Sequence, residues 1–580
     1  MSQRADRARR RAAAEAARTP ASPGASTPSR PVEARDWLSR HPSLIAALVA
    51  AIVYLPSLAG GLLYDDVAIL VDNRRIQDLG QLGTVLRYEP ARPIMGLVWA
   101  LNYAAAGVNP WSYHLVNVAL HAANAALVAA LFAWMARRSA RPGEAPDLGA
   151  ATYAACLFAA TPMAAETVAY IASRSTALAA LFGLAALRAG MALLDGAPRR
   201  RLALAIGLLL LALLTKEEAA TVPLFLLLLD LVFVARWDAR DLRRRAWIHV
   251  PLLALPVLGL IARRVVTGAW LPEAALPRAS YLITQAAAFP RYLLRTLVPL
   301  DPAFFRGDAI AAWPPGPVTI AWGLVSLGLL AFAVAGRRRW PLWSLGILWL
   351  AAGLLPSSSI VPLGEMVVDH RAYLGAAALL FALGRLVWAR GGRPLALALL
   401  LLLAARSYHY EWVLADPVRA WEDAVARAPL SADARRALAD AYAAKGDPRA
   451  EAALREAVRI EPRDARSWAN LGVLYAQGGR LAEAAEALRS AVVADPGDAR
   501  LHDNLGLVLQ ALGRTEEAIA AYEAARTARP ALASPRIRLA ALVLDRGEKA
   551  RALALLDEAA GLEIDPQDAA ALEDLRSRVR

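Results

Sequence analysis

Two aspartates, Asp65 and Asp66, stand side by side just after an uncharged stretch that runs from Pro42 to Leu63. Other ionisable residues also gather at the ends of apolar runs. They are Glu166, Arg174, the triplet Lys216–Glu217–Glu218, the pair Arg263–Arg264, and Glu365 with Asp369, His370 and Arg371. Charges at a membrane edge are expensive and tend to mark substrate pathways. A carboxylate there can take the proton of a hydroxyl nucleophile. Fixed arginines and lysines can neutralise the charge that grows on a departing phosphate. A sugar carried on a polyprenyl phosphate needs both services, because its tail stays in the bilayer and its head stays at the surface. Asp65 and Asp66 are therefore candidate bases, and Arg174, Lys216, Arg264 and Arg371 candidate phosphate ligands. Glu166 and Glu217 are candidates for orienting those cations or meeting the sugar.

Each group has a plainer reading. Paired aspartates after a span also stop a helix, Lys216 can snorkel to the interface, and Glu166 with Arg174 can form a structural ion pair. Arg263 and Arg264 stand apart, because they break the charge bias that the other basic clusters obey. His114, Asn117 and His121 share one helical face at i, i+3 and i+7. A hydrogen-bonded polar stripe between helices is the commoner use of such a face than metal ligation. The edge carboxylates could hold a divalent cation, but no ligand spacing demands a metal site. No HExxH, CxxC, Walker-type or GxGxxG-in-context motif occurs.

These residues need a membrane scaffold to bring them together. The chain has 580 residues, 57% of them hydrophobic, and a mean hydropathy of +0.37, too apolar for an ordinary soluble enzyme. The net charge is +14. Most arginines lie in short loops between apolar runs, so topology explains the charge better than nucleic-acid binding. The one cysteine, Cys156, cannot form an intrachain disulfide.

The sequence predicts an all-α protein in four parts. Residues 1–40 form a disordered basic cytoplasmic tail. Residues 41–410 form a membrane domain of about eleven spans, residues 411–430 a linker, and residues 431–580 a soluble helical repeat domain. With the N-terminus cytoplasmic, the clusters at Arg137–Arg138–Arg141, Arg199–Arg201, Arg243–Arg245, Arg337–Arg339 and Arg390–Arg393 all fall inside. The candidate site and the repeats then lie outside. The stretches Pro93–Gly107 and Tyr281–Pro299 are read as helices lying on the outer surface, since counting the second as a span would invert the bias.

In the last part prolines recur at 429, 462, 496 and 530, spaced 33, 34 and 34. Trp468, Leu471, Gly472 and Tyr475 are followed one period later by Asn504, Leu505 and Gly506. This is the tetratricopeptide period, with about four repeats from Ser431 to about Pro566 and a final capping helix.

With these features in order, the chain resembles the transmembrane and tetratricopeptide-repeat O-mannosyltransferases and their bacterial relatives, within the multi-span C-type glycosyltransferases. "YDDVAILVDN" (64–73) looks like the family's first outer loop, whose leading acid, here Asp65, the resemblance implies to be the base. "RPIMGLVWALNYAAAGVNPWSYHLVNVALH" (92–121) is similar to the next segment and carries Arg92, Asn102, His114, Asn117 and His121. "TPMAAETVAYIASRSTALAALF" (161–182) resembles the second-loop motif through Pro162, Glu166 and Arg174. "TKEEAATVPL" supplies a Lys216–Glu217 pair and "DHRAYL" an Arg371–Tyr373 pair, beside His370. Thr161, Thr176 and His370 depart from the family's usual residues, which leaves the sugar open.

The resemblance implies a polyprenyl-phosphate sugar donor, mannose-like, and a hydroxyl acceptor on a protein or other envelope polymer. It also implies inversion at the anomeric carbon and residence in the cell's inner membrane. The repeats would hold the acceptor in their groove. The alternative is a non-enzymatic membrane anchor that presents the repeats as a scaffold for envelope assembly.

Overall fold

A computed structural model describes residues 40–88, 92–268, 277–307, 311–358, 366–562, 564 and 566–579. Apart from Arg40, the basic tail lies outside the described residues, as does Glu365. The described residues form helices and connecting turns, with no strand among them.

The membrane part is organised around one long helix. α1 (Pro42–Val53) leads through a 3₁₀ turn (Leu55–Ala59) to α2 (Asp65–Leu70). α3 (Leu82–Tyr88) and α4 (Pro93–Ala106) follow, then α5 (Pro110–Ser139), the 30-residue helix. At 1.5 Å per residue α5 is roughly 45 Å long, enough to cross a bilayer with its headgroups. α6 (Leu148–Ala159) breaks at Thr161–Pro162 and continues as α7 (Ala165–Ala169), a bend of 44°. α8 (Arg174–Leu194) returns along α5, and α1, α6 and α8 all pack on α5.

Next come α9 (Arg201–Leu213), α10 (Val222–Leu229), α11 (Ala239–Arg244), α12 (Ala246–Thr267), α13 (Arg278–Leu297) and α14 (Pro317–Ala335). α15 (Pro341–Leu354), α16 (Ala377–Arg390) and α17 (Gly392–Leu414) complete this part.

Where the sequence predicts eleven spans, five helical segments among the described residues are long and apolar enough to cross a membrane, and a sixth if the bent pair is one span. The rest of the expected spans are helical too, but many are short or interrupted. Apolar runs measured by hydropathy do not register the breaks: the Lys216–Glu218 turn separates α9 from α10, and a π turn at Asp230–Val234 ends α10. Helices of this kind still require a membrane as solvent. The exposed large apolar side chains of α12, α14 and α17, among them Val265, Val318, Leu324 and Leu401, are what lipid tails would cover.

Residues 411–430, read from sequence as a linker, are largely helical. α17 runs on to Leu414, and after Ala415 and Asp416 a new helix, α18 (Pro417–Arg427), begins. The sequence looked like a linker because its apolar run ends near Arg406, but Asp416 caps α18 by accepting the Val418 amide at 2.8 Å.

The solenoid consists of four antiparallel helix pairs. They are α19 (Ala432–Ala444) with α20 (Arg449–Ile460), α21 (Ala465–Gln477) with α22 (Leu481–Ala494), α23 (Ala499–Ala511) with α24 (Thr515–Ala528), and α25 (Ser534–Asp545) with α26 (Lys549–Ala560). α27 (Pro566–Val579) packs on the last pair. Ser431, Asp464 and Asp498 cap the first helices of three pairs. Gly472 and Gly506 sit where the paired helices touch: a Cβ at Gly472 would lie 2.7 Å from Leu488, and one at Gly506 2.5 Å from Tyr522. The 34-residue period repeats this one close approach.

Candidate active site

The two neighbouring aspartates have opposite surroundings. Tyr64, just before them, has φ 46° and ψ −110°, a left-handed conformation that costs an L residue about 1–3 kcal/mol. The turn sends Asp66 inward. Its carboxylate accepts the Leu63 amide at 2.9 Å and the Ala172 amide at 2.8 Å, and the residue is 0% exposed. Burial pushes the carboxyl up to about 7, against the pull of those amides. Asp65 is exposed. Its Oδ2 accepts the Tyr170 hydroxyl at 2.8 Å, and its own amide lies 3.3 Å from the same tyrosine oxygen. Asp66 thus pins the loop to the start of the α8 span, and Asp65 presents a carboxylate that remains accessible.

An aromatic chain flanks Asp65. Tyr170 meets Phe304 edge-on at 5.3 Å between ring centroids, Phe304 meets Trp421 at 5.3 Å, and Trp421 meets Tyr64 at 5.5 Å. Trp421 belongs to α18, so the helix that leads into the solenoid forms part of this wall.

One turn before Tyr170, Glu166 lies in α7. It is 3% exposed and accepts both the backbone amide (3.2 Å) and Nδ1 (2.6 Å) of His370. The charges of Asp369, Lys216 and Arg371 all act on it. Lys216 donates to Thr176 Oγ1 at 2.7 Å and pairs with Glu218 at 3.3 Å. Arg371 donates to the Met366 carbonyl at 3.1 Å. Asp369 receives Arg295 at 3.3 Å and Arg306 at 3.5 Å. A cavity of about 30 Å³ is lined by Thr176, Glu218, His370, Arg371 and Tyr373, among others, which is roughly one water's share of liquid volume. No group of three or more metal-ligating His, Cys, Asp or Glu side chains occurs among the described residues.

The structure therefore brings Asp65, Glu166, Lys216, His370 and Arg371 to one end of the bundle. Asp65 and Glu166 are joined through the short helix α7 and Tyr170, and Glu166 through His370 to the segment before α16.

Several expected roles need correction. Arg174, expected as a phosphate ligand, lies inside the bundle. It is 0% exposed and spends its donors on Asn117 (2.8 Å), Asn102 (2.9 Å) and the Tyr113 carbonyl (2.8 Å), with the guanidinium over Trp99 at 4.6 Å. It ties α4, α5 and α8 together and pairs with no carboxylate among the described residues, so the plainer alternative of a Glu166–Arg174 ion pair is not formed either. Lys216 pairs with Glu218 rather than Glu217, because the extended backbone at Lys216 turns Glu217 away to Arg92, at 2.9 and 3.2 Å. Tyr373 is buried under the site. Its hydroxyl meets His121 Nδ1 at 2.7 Å and Asn124 at 3.2 Å. Arg264 lies exposed on the last turns of α12, with no hydrogen bond or ion pair to the cluster among the described residues.

His114, Asn117 and His121 are the polar stripe. His114 Nε2 lies 3.3 Å from the Gly61 carbonyl, Asn117 donates to the Val168 carbonyl at 3.0 Å, and His121 Nε2 lies 3.1 Å from the Ala159 carbonyl. Asn117 and His121 thus meet carbonyls at and beside the break around α7, and His114 meets one in the segment before Asp65. Sequence reasoning singled out Asp369 but missed Tyr170, Thr176, Arg295, Arg306 and Trp421 as members of the site. For Tyr170 a signal existed, its i+4 spacing from Glu166. For Trp421 none did, because its partners lie more than a hundred residues away.

Fold and site together define a helical membrane protein with charged groups collected at one end and a tetratricopeptide-repeat solenoid attached there. Tetratricopeptide-repeat family models match residues 448–499 and 499–531. Among curated proteins, the chain is 33% identical over 160 residues to the protein O-mannosyl-transferase TMTC2 of Mus musculus, covering 25% of this chain and 18% of that one. It is 31% identical over 157 residues to TMTC3 of Mus musculus, covering 25% and 16%. It is 34% identical over 209 residues to Tmtc2 of Drosophila melanogaster, covering 33% and 21%. The matched stretches thus span about a fifth of each relative's length. Among solved structures, MamA is 21% identical over 26% of this chain and 87% of that one, with a TM-score of 0.24. The chain is thus similar, over part of its length, to TMTC proteins, and carries tetratricopeptide repeats at its C-terminal end.

Proposed function

We propose that this protein is an integral-membrane glycosyltransferase that moves a mannose-like sugar from a polyprenyl phosphate to a hydroxyl of a protein or other envelope acceptor. Asp65 is its general base. The observation that carries this reading is the division between the two aspartates: one carboxylate is committed to backbone amides, while its neighbour stays exposed with a single tyrosine to aim it. In the reaction Asp65 takes the acceptor's proton while the acceptor oxygen attacks the anomeric carbon from the face opposite the phosphate. The C1–O bond to the phosphate breaks with inversion, and the electron pair leaves on the phosphate. Arg371 and Lys216 are the cations placed to neutralise it. Glu166 holds His370 and sets the position of the Arg371 segment.

The positive-inside bias supports placing the Asp65 end and the solenoid outside an inner membrane, with the N-terminus cytoplasmic. The relatives' names support the sugar class. The solenoid's attachment beside Asp65 supports a role in presenting the acceptor.

The test is a transfer assay with a panel of polyprenyl-phosphate sugars and the full chain. Wild type should transfer one of them, and Asp65→Asn should not, while inserting and melting as wild type does. Equal turnover in Asp65→Asn would remove the base. No transfer from any donor, with the solenoid still retaining envelope proteins, would favour the scaffold reading.

A further inference from the structure

The opposite end of the bundle carries a second feature that the transfer reaction does not use. Arg188 lies in the apolar span Ile171–Leu194 and is exposed on its surface. It stands six residues before the end of that span, roughly 9 Å along the axis at 1.5 Å per residue. Neither Arg188 nor Arg137 has a hydrogen-bonding or ion-pair partner among the described residues, whereas the adjacent Arg138 pairs with Asp195. An uncompensated guanidinium on the lipid-facing side of a span is costly, and snorkelling or an anionic partner relieves it.

The surroundings supply a place for such a partner. A cleft of about 410 Å³ is bounded by Arg40, His41, Leu44, Ala133, Arg137 and Arg188, and no acidic residue lines it among the described residues. It forms where the start of α1 meets the last third of α5, a junction fixed by Ser43 donating to the Ala126 carbonyl at 2.9 Å. Basic side chains sit at its rim, and small apolar residues of α5 form its floor. This matches a ligand with an anionic head and an apolar tail lying against α5 and α8. The cleft is at the C-terminal end of α5, while Asn117, near its N-terminal end, holds the Val168 carbonyl just before Tyr170, the partner of Asp65. The two sites are therefore separated by most of the helix.

We propose that this cleft binds the phosphate headgroup of an anionic glycerophospholipid of the surrounding bilayer, held by Arg137 and Arg188, with an acyl chain along the α5–α8 surface. Its occupancy does not depend on the proposed transfer reaction. Native mass spectrometry of the full chain in uncharged detergent tests it, with phosphatidylglycerol and phosphatidylcholine titrated separately. Wild type should retain phosphatidylglycerol preferentially. The double variant Arg137→Gln/Arg188→Gln should weaken that retention roughly 30-fold, the product of two arginine–anion attractions. Arg141→Gln, outside the cleft, should leave it unchanged. If the double variant does not fold, Arg188→Gln alone carries the test and should weaken retention several-fold. Equal retention of both lipids, or full retention in the variants, would overturn the proposal. So would competition by inorganic phosphate, which would make this a soluble-anion site. Preferential retention of a polyprenyl phosphate would also overturn it.

Discussion

The membrane bundle and the solenoid use charge in contrasting ways. In the solenoid, ion pairs are largely exposed and recur at a spacing close to the repeat. Glu451 receives Arg480, Glu517 receives Arg489, and Glu523 receives Arg551, each joining residues 28 or 29 apart. In the bundle, the paired charges of the site are largely buried, occur once and join distant segments. Glu166 and His370 are 204 residues apart, and Arg295 and Asp369 are 74 apart. Exposed pairs contribute little individually and are interchangeable. A buried charge must be matched by geometry specific to its site, so removing one partner strands the other. The solenoid is thus tolerant and regular, and the bundle is exacting.

Substitutions can break or sharpen that contrast. The largest effect should fall on Asp65. Asp65→Asn should lower transfer by about 100-fold or more, the contribution expected of a general base, with unchanged unfolding. Tyr170→Phe should lower it less, because it frees the carboxylate without removing it. Arg174→Leu should destabilise the bundle by about 3–5 kcal/mol, because it leaves the Asn117 and Asn102 side-chain oxygens and the Tyr113 carbonyl without their donor. Denaturation of the purified protein measures this, and a cost below about 1 kcal/mol would show that Arg174 is dispensable as a strut.

Gly506→Ala should cost about 1–3 kcal/mol through overpacking against Tyr522. That cost should appear in a solenoid-specific melting signal and leave the membrane part unaffected.

Asp66 gives an effect that depends on pH. Its folded carboxyl titrates at about 7, above the ordinary value of 3.8. Between those values the folded state holds a proton that the unfolded chain has released. This contribution to stability is complete below about pH 4 and is lost as the pH rises through 7. Wild type should lose stability over that window relative to Asp66→Asn, and parallel melting curves for the two would contradict the assignment. Smallest of all, Arg489→Ala removes one exposed pair and should change stability by less than about 1 kcal/mol.

Much of this architecture was legible in the sequence. The proline spacing and the glycines at one offset marked the solenoid, since a repeated close approach leaves a repeated residue. Apolar runs marked the membrane helices, but not where helices break, because hydropathy averages over turns such as Thr161–Pro162. The residues of the candidate site were visible as charges at run ends. Their roles were not. Whether Arg174 faces a ligand or Asn102 and Asn117 depends on helix rotation, and whether Lys216 takes Glu217 or Glu218 depends on one backbone conformation. The aromatic wall was invisible because Tyr64, Tyr170, Phe304 and Trp421 come together only in the folded chain.

The joint at Ala415–Asp416 has a mechanical consequence. The Ala415 carbonyl accepts the Gly61 amide from the segment that carries the paired aspartates, and Asp416 grips Lys445 of the first repeat at 2.7 Å. The first repeat and the segment before Asp65 are therefore both anchored to the same two-residue joint, so a shift of one pulls on the attachment of the other.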